Sequence, residues 1–381
     1  MQIRKMVGFT HRWLGLLSGL VVLFLGITGC ILAFQQEIES ITQPFRYVKE
    51  EKAFMLPPSV MKPIAENELP GKHPHSVSYE KGKASQVVFY GKGFYDIVYL
   101  NPYTGAVLKT VNMNHDFFRT IVGGHYNLWL PVEIGQPIVA SATLIFLVLL
   151  ITGIILWWPR NKAARKQRFR IKWNLKWKRK NYDLHNVLGF YMSWIAVFIT
   201  VTGLVMGFQW FAGSIYYATS GGVKMKPFYE AASDKAGQKD HSVPAVDAIY
   251  DKAKAMYPST KKIEIHYPAT DSSAIEIAAN PDPGTYWKTD YRFFDQYTLK
   301  EIEVNHMYGQ LRKASVADKI ARMNYDVHVG AIGGWPTKLL AFFASLIAAS
   351  LPVTGFMIWR GRRRKENPLV QRNSGISNTT I

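Results

Sequence analysis

Four histidines, His11, His125, His185 and His328, stand where their ring nitrogens could serve as ligands. Neutral imidazole binds iron, zinc and copper. His11 sits in Phe9-Thr10-His11-Arg12-Trp13-Leu14-Gly15-Leu16 and His185 in Asp183-Leu184-His185-Asn186-Val187-Leu188-Gly189-Phe190, each at the start of a long apolar run. His125 and His328 each lie shortly before another such run. A shift of 174 residues superposes His11, Leu14, Gly15, Phe24, Thr28, Gly29, Phe34 and Gln35 on His185, Leu188, Gly189, Phe198, Thr202, Gly203, Phe208 and Gln209. A shift of 202 aligns Ala142, Leu144, Ile145, Thr152, Gly153 and Trp157 with Ala344, Leu346, Ile347, Thr354, Gly355 and Trp359. The chain therefore reads as two repeats.

Each repeat holds two apolar runs, so both keep the same orientation and a pseudo-twofold along the membrane normal brings equivalent residues face to face. Two imidazoles facing across a flat macrocycle form a bis-histidine b-type haem site. The sequence offers that arrangement twice, His11 with His185 and His125 with His328, leaving a His–His zinc or copper site as the open alternative. Gly15 and Gly189 follow their histidines by four residues and leave a small surface beside each ring. Gly29 and Gly203 lie five helical turns beyond the same histidines, roughly 27 Å further along, near the level of the second pair. Thr152-Gly153 and Thr354-Gly355 fall near the level of the first. Arg119 and Arg322 precede His125 and His328 in a twin R-x5-H pattern, and a guanidinium suits haem propionates or an anionic substrate. His115 and His306, without matching registers, are candidates for a substrate-proximal site or for replacement ligands, with surface histidines as the alternative reading. His73, His75, His241 and His266 receive no role.

The elements that must position these residues are set by hydropathy. Arg12–Phe34, Pro137–Trp158, Val187–Phe211 and Lys338–Trp359 are apolar runs long enough to cross a hydrocarbon core of roughly 30 Å. The first lacks a cleavage site and reads as a retained helix. Cys30 is the single cysteine, so no disulfide framework, C-x-x-C pair or thiolate-held cluster is available. Lys and Arg number 46 against 27 Asp and Glu, a net +19. The excess concentrates at Arg4–Arg12, Arg160–Lys180 and Arg360–Arg372, which places both termini in the cytoplasm. Anionic inner-leaflet lipid accounts for this charge, and no nucleic-acid partner is expected. Trp129, Trp157, Trp158, Trp210, Trp335 and Trp359 bracket the runs as an aromatic belt, and Trp173 and Trp177 read as part of an interfacial segment.

The expected organisation is a first span region at 1–36, an extracytoplasmic domain at 37–136, a second span at 137–158 and a basic cytoplasmic loop at 159–183. A third span at 184–211, a second extracytoplasmic domain at 212–335, a fourth span at 336–359 and a cytoplasmic tail at 360–381 follow. Both outer segments read as α+β. Ser76–Glu80, Gln86–Gly91 and Tyr95–Leu100 alternate as strands before a turn at Asn101–Gly105. Val243–Tyr257 reads as an amphipathic helix before strands near Lys262–Tyr267, Ala274–Ala278 and Tyr291–Phe294.

With the two histidine-containing octapeptides, the twin R-x5-H and the T-G-x-x-x-W elements assembled, the sequence resembles the PepSY-associated transmembrane family over nearly its whole length. Within that family it is similar to iron-regulated ferrisiderophore reductases of the inner membrane. The resemblance implies a four-helix bundle with two PepSY-like extracytoplasmic domains, two b-type haems ligated by His11, His185, His125 and His328, and electron delivery to ferric siderophore or another Fe(III) chelate in the periplasm. Some members carry a cytoplasmic flavin reductase domain. Only a short polar tail follows Arg364 and no G-x-G-x-x-G fingerprint is present, so the expected donor is a separate cytoplasmic flavoprotein or membrane quinol. The expected activity is a haem-dependent oxidoreductase that lowers the hold of hard oxygen ligands by reducing Fe(III) to Fe(II). Its rival is a non-enzymatic anchored protein whose outer domains bind peptide or regulate a protease. A transporter fits less well, because the spans lack buried carboxylates.

Overall fold

The computed structural model describes residues 2–159, 161, 162, 165, 168–237 and 242–366. Arg160, Lys166, His241 and residues 367–381 of the tail lie outside the described residues. Along the chain run α1 (Gln2–Ala33), α2 (Gln35–Thr42), α3 (Pro58–Glu68), α4 (Phe117–Asn127), α5 (Val132–Trp157), α6 (Trp177–Gly207), α7 (Gln209–Thr219), α8 (Ala245–Met256), α9 (Val316–His328) and α10 (Trp335–Glu366). The strands are β1 (Ser76–Glu80), β2 (Ser85–Gly91), β3 (Phe94–Leu100), β4 (Val107–Asn112), β5 (Lys262–His266), β6 (Ile275–Asn280), β7 (Asp290–Phe294) and β8 (Glu301–Ile302). They form two compact units. One is helical, from Met1–Ala33, Ile121–Gln209 and Val327–Ile381, and the other joins Phe34–Thr120 to Trp210–Asp326.

In the helical unit, α1, α5, α6 and α10 are each long and apolar enough to cross a membrane, so the chain is a multi-pass membrane protein. The helices exceed the apolar runs: α1 starts at Gln2, and α5 starts at Val132 and carries Pro137 as its sixth residue, where the proline ring removes the hydrogen bond to the Glu133 carbonyl. Packing follows the cycle α1, α5, α6, α10 and back to α1. Small residues set the closest approaches. A Cβ added at Gly26 would lie 2.7 Å from the Ala349 Cβ, and one at Gly207 would lie 2.9 Å from that of Ala140, contacts of the kind that substitute for a hydrophobic drive inside lipid. Arg168 donates to the carbonyls of Leu156 and Trp157, which find no donor within the helix at the end of α5, and Leu156 O also accepts from Arg4. Between α4 and α5 the backbone turns through Leu128 and Trp129, both with positive φ. The Trp129 ring covers Gly124, where a Cβ would come within 2.6 Å, and meets Phe24 edge-on at 5.3 Å.

The second unit is built on one antiparallel sheet of order β4-β3-β2-β1-β5-β6-β7-β8. β1 pairs β5 from Ser76↔His266 to Glu80↔Lys262, so the two segments expected to make separate outer domains share a sheet. Left apart, β1 and β5 would each expose a row of unpaired backbone groups, and pairing them removes both edges. α3 and α8 cover one face. Met61, Val77, Val87 and Phe89 from the first segment and Ile249, Ile265, Ile277 and Phe294 from the second enter a single buried core. Tyr79 stacks on Tyr250 at 4.5 Å, and the Tyr267 hydroxyl donates to the Pro58 carbonyl at 2.8 Å.

Candidate cofactor-binding site

All four histidines belong to the helical unit and are half-buried. His11 on α1 places Nδ1 2.9 Å from Thr152 Oγ1 on α5. His185 on α6 places Nδ1 2.8 Å from Thr354 Oγ1 on α10. His125 on α4 meets Thr28 of α1 at 2.8 Å, and His328 on α9 meets Thr202 of α6 at 3.0 Å. His328 Nδ1 also lies 3.0 Å from the Ile199 carbonyl. Among the described residues, no Nε2 atom of the four rings has a hydrogen-bond partner.

The residue after each threonine is glycine and faces the ring, tightly at Gly203 and Gly355 and at ordinary contact distance at Gly153 and at Gly29, where Ser345 Oγ is nearer to an added Cβ at 3.2 Å. A Cβ would lie 3.4 Å from His11 Cε1 at Gly153, 3.2 Å from His185 Cε1 at Gly355, 3.6 Å from His125 Cε1 at Gly29 and 3.2 Å from His328 Cε1 at Gly203. Gly203 therefore makes room for the His328 imidazole. Gly15 and Gly189 face leucines instead, with Leu149 Cδ2 3.8 Å and Leu351 Cδ2 3.4 Å from the added Cβ positions. The four threonines were visible in the aligned motifs, but their role was missed. Its signal was the recurrence of Thr-Gly on a neighbouring span at the height of every histidine.

His125 and His328 face one another with ring centroids 6.3 Å apart and planes inclined at 67°. Two imidazoles trans on one metal, each bonded at about 2 Å with its ring centre about 1.1 Å behind the nitrogen, also lie about 6 Å apart. The second pair thus fits bis-histidine ligation. Burial, and for His125 the neighbouring His328 ring, pulls both imidazoles down from their ordinary pKa, opposed by hydrogen bonding to the backbone carbonyls of Leu25 and Ile199, a direction that favours the neutral ring a metal ligand needs. Among the described residues no three or more His, Cys, Asp or Glu side chains converge as a metal site. A bare zinc or copper ion would have to rest on two imidazoles alone.

The two arginines diverge. Arg119 is exposed, with its guanidinium 5.1 Å from the centre of the Tyr95 ring. Arg322 is only 6% exposed and donates from Nε to Met307 O at 2.7 Å, from Nη1 to Thr289 O at 3.0 Å and from Nη2 to Gly309 O at 2.6 Å. Three of its five N–H groups are given to the backbone of the sheet unit, a structural role beside the propionate or substrate contact expected of it. His115 is exposed. His306 is buried beside Phe228 and Tyr229, with Nδ1 accepting from the Tyr308 N–H at 3.2 Å.

The PepSY-associated TM region, as a family, matches residues 10–362, a span containing all four histidines and all four Thr-Gly pairs. The chain belongs to this PepSY-associated TM family. No curated protein matches the chain. For this PepSY-associated TM chain the histidine pairs are the feature that calls for a chemical account.

Proposed function

We propose that the chain is a transmembrane dihaem electron-transfer protein of a bacterial inner membrane that reduces ferric siderophore or another Fe(III) chelate on the periplasmic face. The 6.3 Å spacing of the His125 and His328 rings carries this reading, since two imidazoles at that distance could ligate one iron between them. His11 and His185 would hold a second haem as the equivalent pair of the sequence repeat, each ring meeting a threonine hydroxyl as His125 and His328 do. Bound haem supplies one-electron chemistry, and the protein sets its potential through ligand type, hydrogen bonding and burial.

The chain's own residues then have separate tasks. The histidines ligate, the threonines and glycines orient them, and the apolar helices keep water and ions from the path. On this reading the two halves are parallel repeats with both termini cytoplasmic, and His11 and His185 lie on the side where a flavoprotein or quinol delivers electrons. The sheet unit is the extracytoplasmic, PepSY-like part facing the chelate. One-electron reduction to Fe(II) weakens binding by hard oxygen donors, so the iron is released without attack on the organic ligand.

The test is an absorption spectrum of the detergent-purified chain, oxidised and dithionite-reduced, with pyridine-haem quantitation. Two b-type haems per chain are expected, falling to one in His328→Ala and in His11→Ala. A folded chain that carries no haem after expression with haem supplied would overturn the proposal and favour an anchored binding protein.

A further inference from the structure

Each threonine hydroxyl at the site has already committed its proton. Thr152 Oγ1 donates to Val148 O at 2.7 Å, Thr354 to Ser350 O at 2.9 Å, Thr28 to Phe24 O at 2.9 Å and Thr202 to Phe198 O at 2.8 Å. This is the usual back-bond of a threonine within a helix. A hydroxyl has one proton and two lone pairs, so toward the histidine it can only accept. The imidazole nitrogen at 2.8–3.0 Å must therefore be the donor. A neutral ring protonated at Nδ1 carries its lone pair on Nε2.

We infer that the four Thr-Gly pairs are imidazole seats: the threonine fixes its histidine as the Nδ1–H tautomer before any cofactor binds, and the glycine supplies the space that holds the ring at that depth. The inference rests on the proposed haem reading for its consequence, and on the hydrogen bonds alone for the tautomer. The threonines are positioning residues that act through the histidines. Hydrogen bonding at the distal ring nitrogen raises the basicity of a ligating imidazole, so each threonine would favour the ferric state of an iron held by its histidine.

His11 is the ring to test, because His328 Nδ1 also reaches the Ile199 carbonyl at 3.0 Å, an acceptor that Thr202→Val would leave in place. Full-length Thr152→Val, Thr152→Ser and Thr200→Val separate this role from packing. Thr200 is a buried threonine on α6 that donates to Ala196 O and has no histidine partner among the described residues. Thr152→Val is expected to weaken haem retention at the first pair by about 10- to 100-fold and to raise the midpoint potential of what remains. Serine keeps the back-bond and the lone pair, so Thr152→Ser should stay near wild type, as should Thr200→Val. Unchanged retention and potential in Thr152→Val, or an equal change in Thr200→Val, would overturn the inference while leaving the haem reading intact. A second readout needs no cofactor. Nitrogen NMR of haem-free, 15N-histidine-labelled protein should show His11 protonated at Nδ1 in wild type and a mixture of tautomers in Thr152→Val. Mixed tautomers in the wild type would sink the seat, whereas a wild type unable to bind haem but with the tautomer fixed would sink only the haem reading.

Discussion

A methyl group at Gly203 would lie 3.2 Å from Cε1 of His328, while one at Gly15 would meet only the movable end of Leu149 at 3.8 Å. The first distance obliges the ring to shift by a few tenths of an ångström, and ligand geometry tolerates little displacement. Gly203→Ala is expected to lower haem affinity at the second pair by about 10-fold, read by retention during dilution, with Gly15→Ala close to wild type. Equal loss in both would mean that general helix packing, not the ring's seat, controls binding. Arg322 makes the opposite case, a residue that matters without touching the site. Removing a buried guanidinium that serves three carbonyls leaves all three unpaired, a cost of about 2–4 kcal/mol. Arg322→Ala should lower the unfolding midpoint of the sheet unit, yet the haem content of the folded fraction should not change. A selective loss of haem at normal stability would restore Arg322 to the site.

At the scale of elements, the four spans, most strands and the four ligand candidates were legible in the sequence, because apolar length, period-two alternation and repeated motifs are local signals. The β1–β5 pairing was not. Nothing in Ser76–Glu80 or Lys262–His266 names its partner strand, and each half alone reads as a complete α+β unit. The fate of Arg322 was hidden for a related reason, since R-x5-H looks the same whether the guanidinium meets a ligand or a carbonyl. The new strand pairing also creates a titrating group. Ser76, His266 and Glu276 stand side by side across β1, β5 and β6. Burial, then Glu264 and Glu230, push the Glu276 carboxyl up to about 7 from 4.5. Between those values the folded form holds a proton that the unfolded chain has released, so this group makes stability fall as pH rises. Burial also pulls His266 down to about 4, which acts in the opposite sense below its ordinary value. Its Nδ1 lies 3.8 Å from the Glu276 carboxylate, so the effect of replacing Glu276 is read above about pH 7, where His266 is neutral with or without it. Glu276→Gln should therefore be near wild type at pH 5 and more stable by about 1–3 kcal/mol at pH 8. Denaturation at the two pH values checks it, and a difference independent of pH would refute the assignment.

For the whole molecule, the decisive feature of the sheet unit is that neither contributing segment can close its own core. Phe89 and Val87 from one and Ile277 and Ile265 from the other are fully buried in the same cluster, and the strands that join them, β1 and β5, are the innermost of eight. A core shared in this way unfolds as one cooperative body, whereas two abutting domains would open separately. Phe89→Ala removes a buried ring at a cost of about 3–5 kcal/mol. In the full-length chain that loss should appear as faster amide exchange in β5, β6 and β7 as well as in β2 and β3, and Ile277→Ala should reciprocate in β1, β2 and β3. Exchange confined to the mutated half in both variants would show two independent folding units. Transmission in both directions would mean that the first and second halves of the chain cannot be assembled separately, because the strand on which each sheet half depends is supplied by the other.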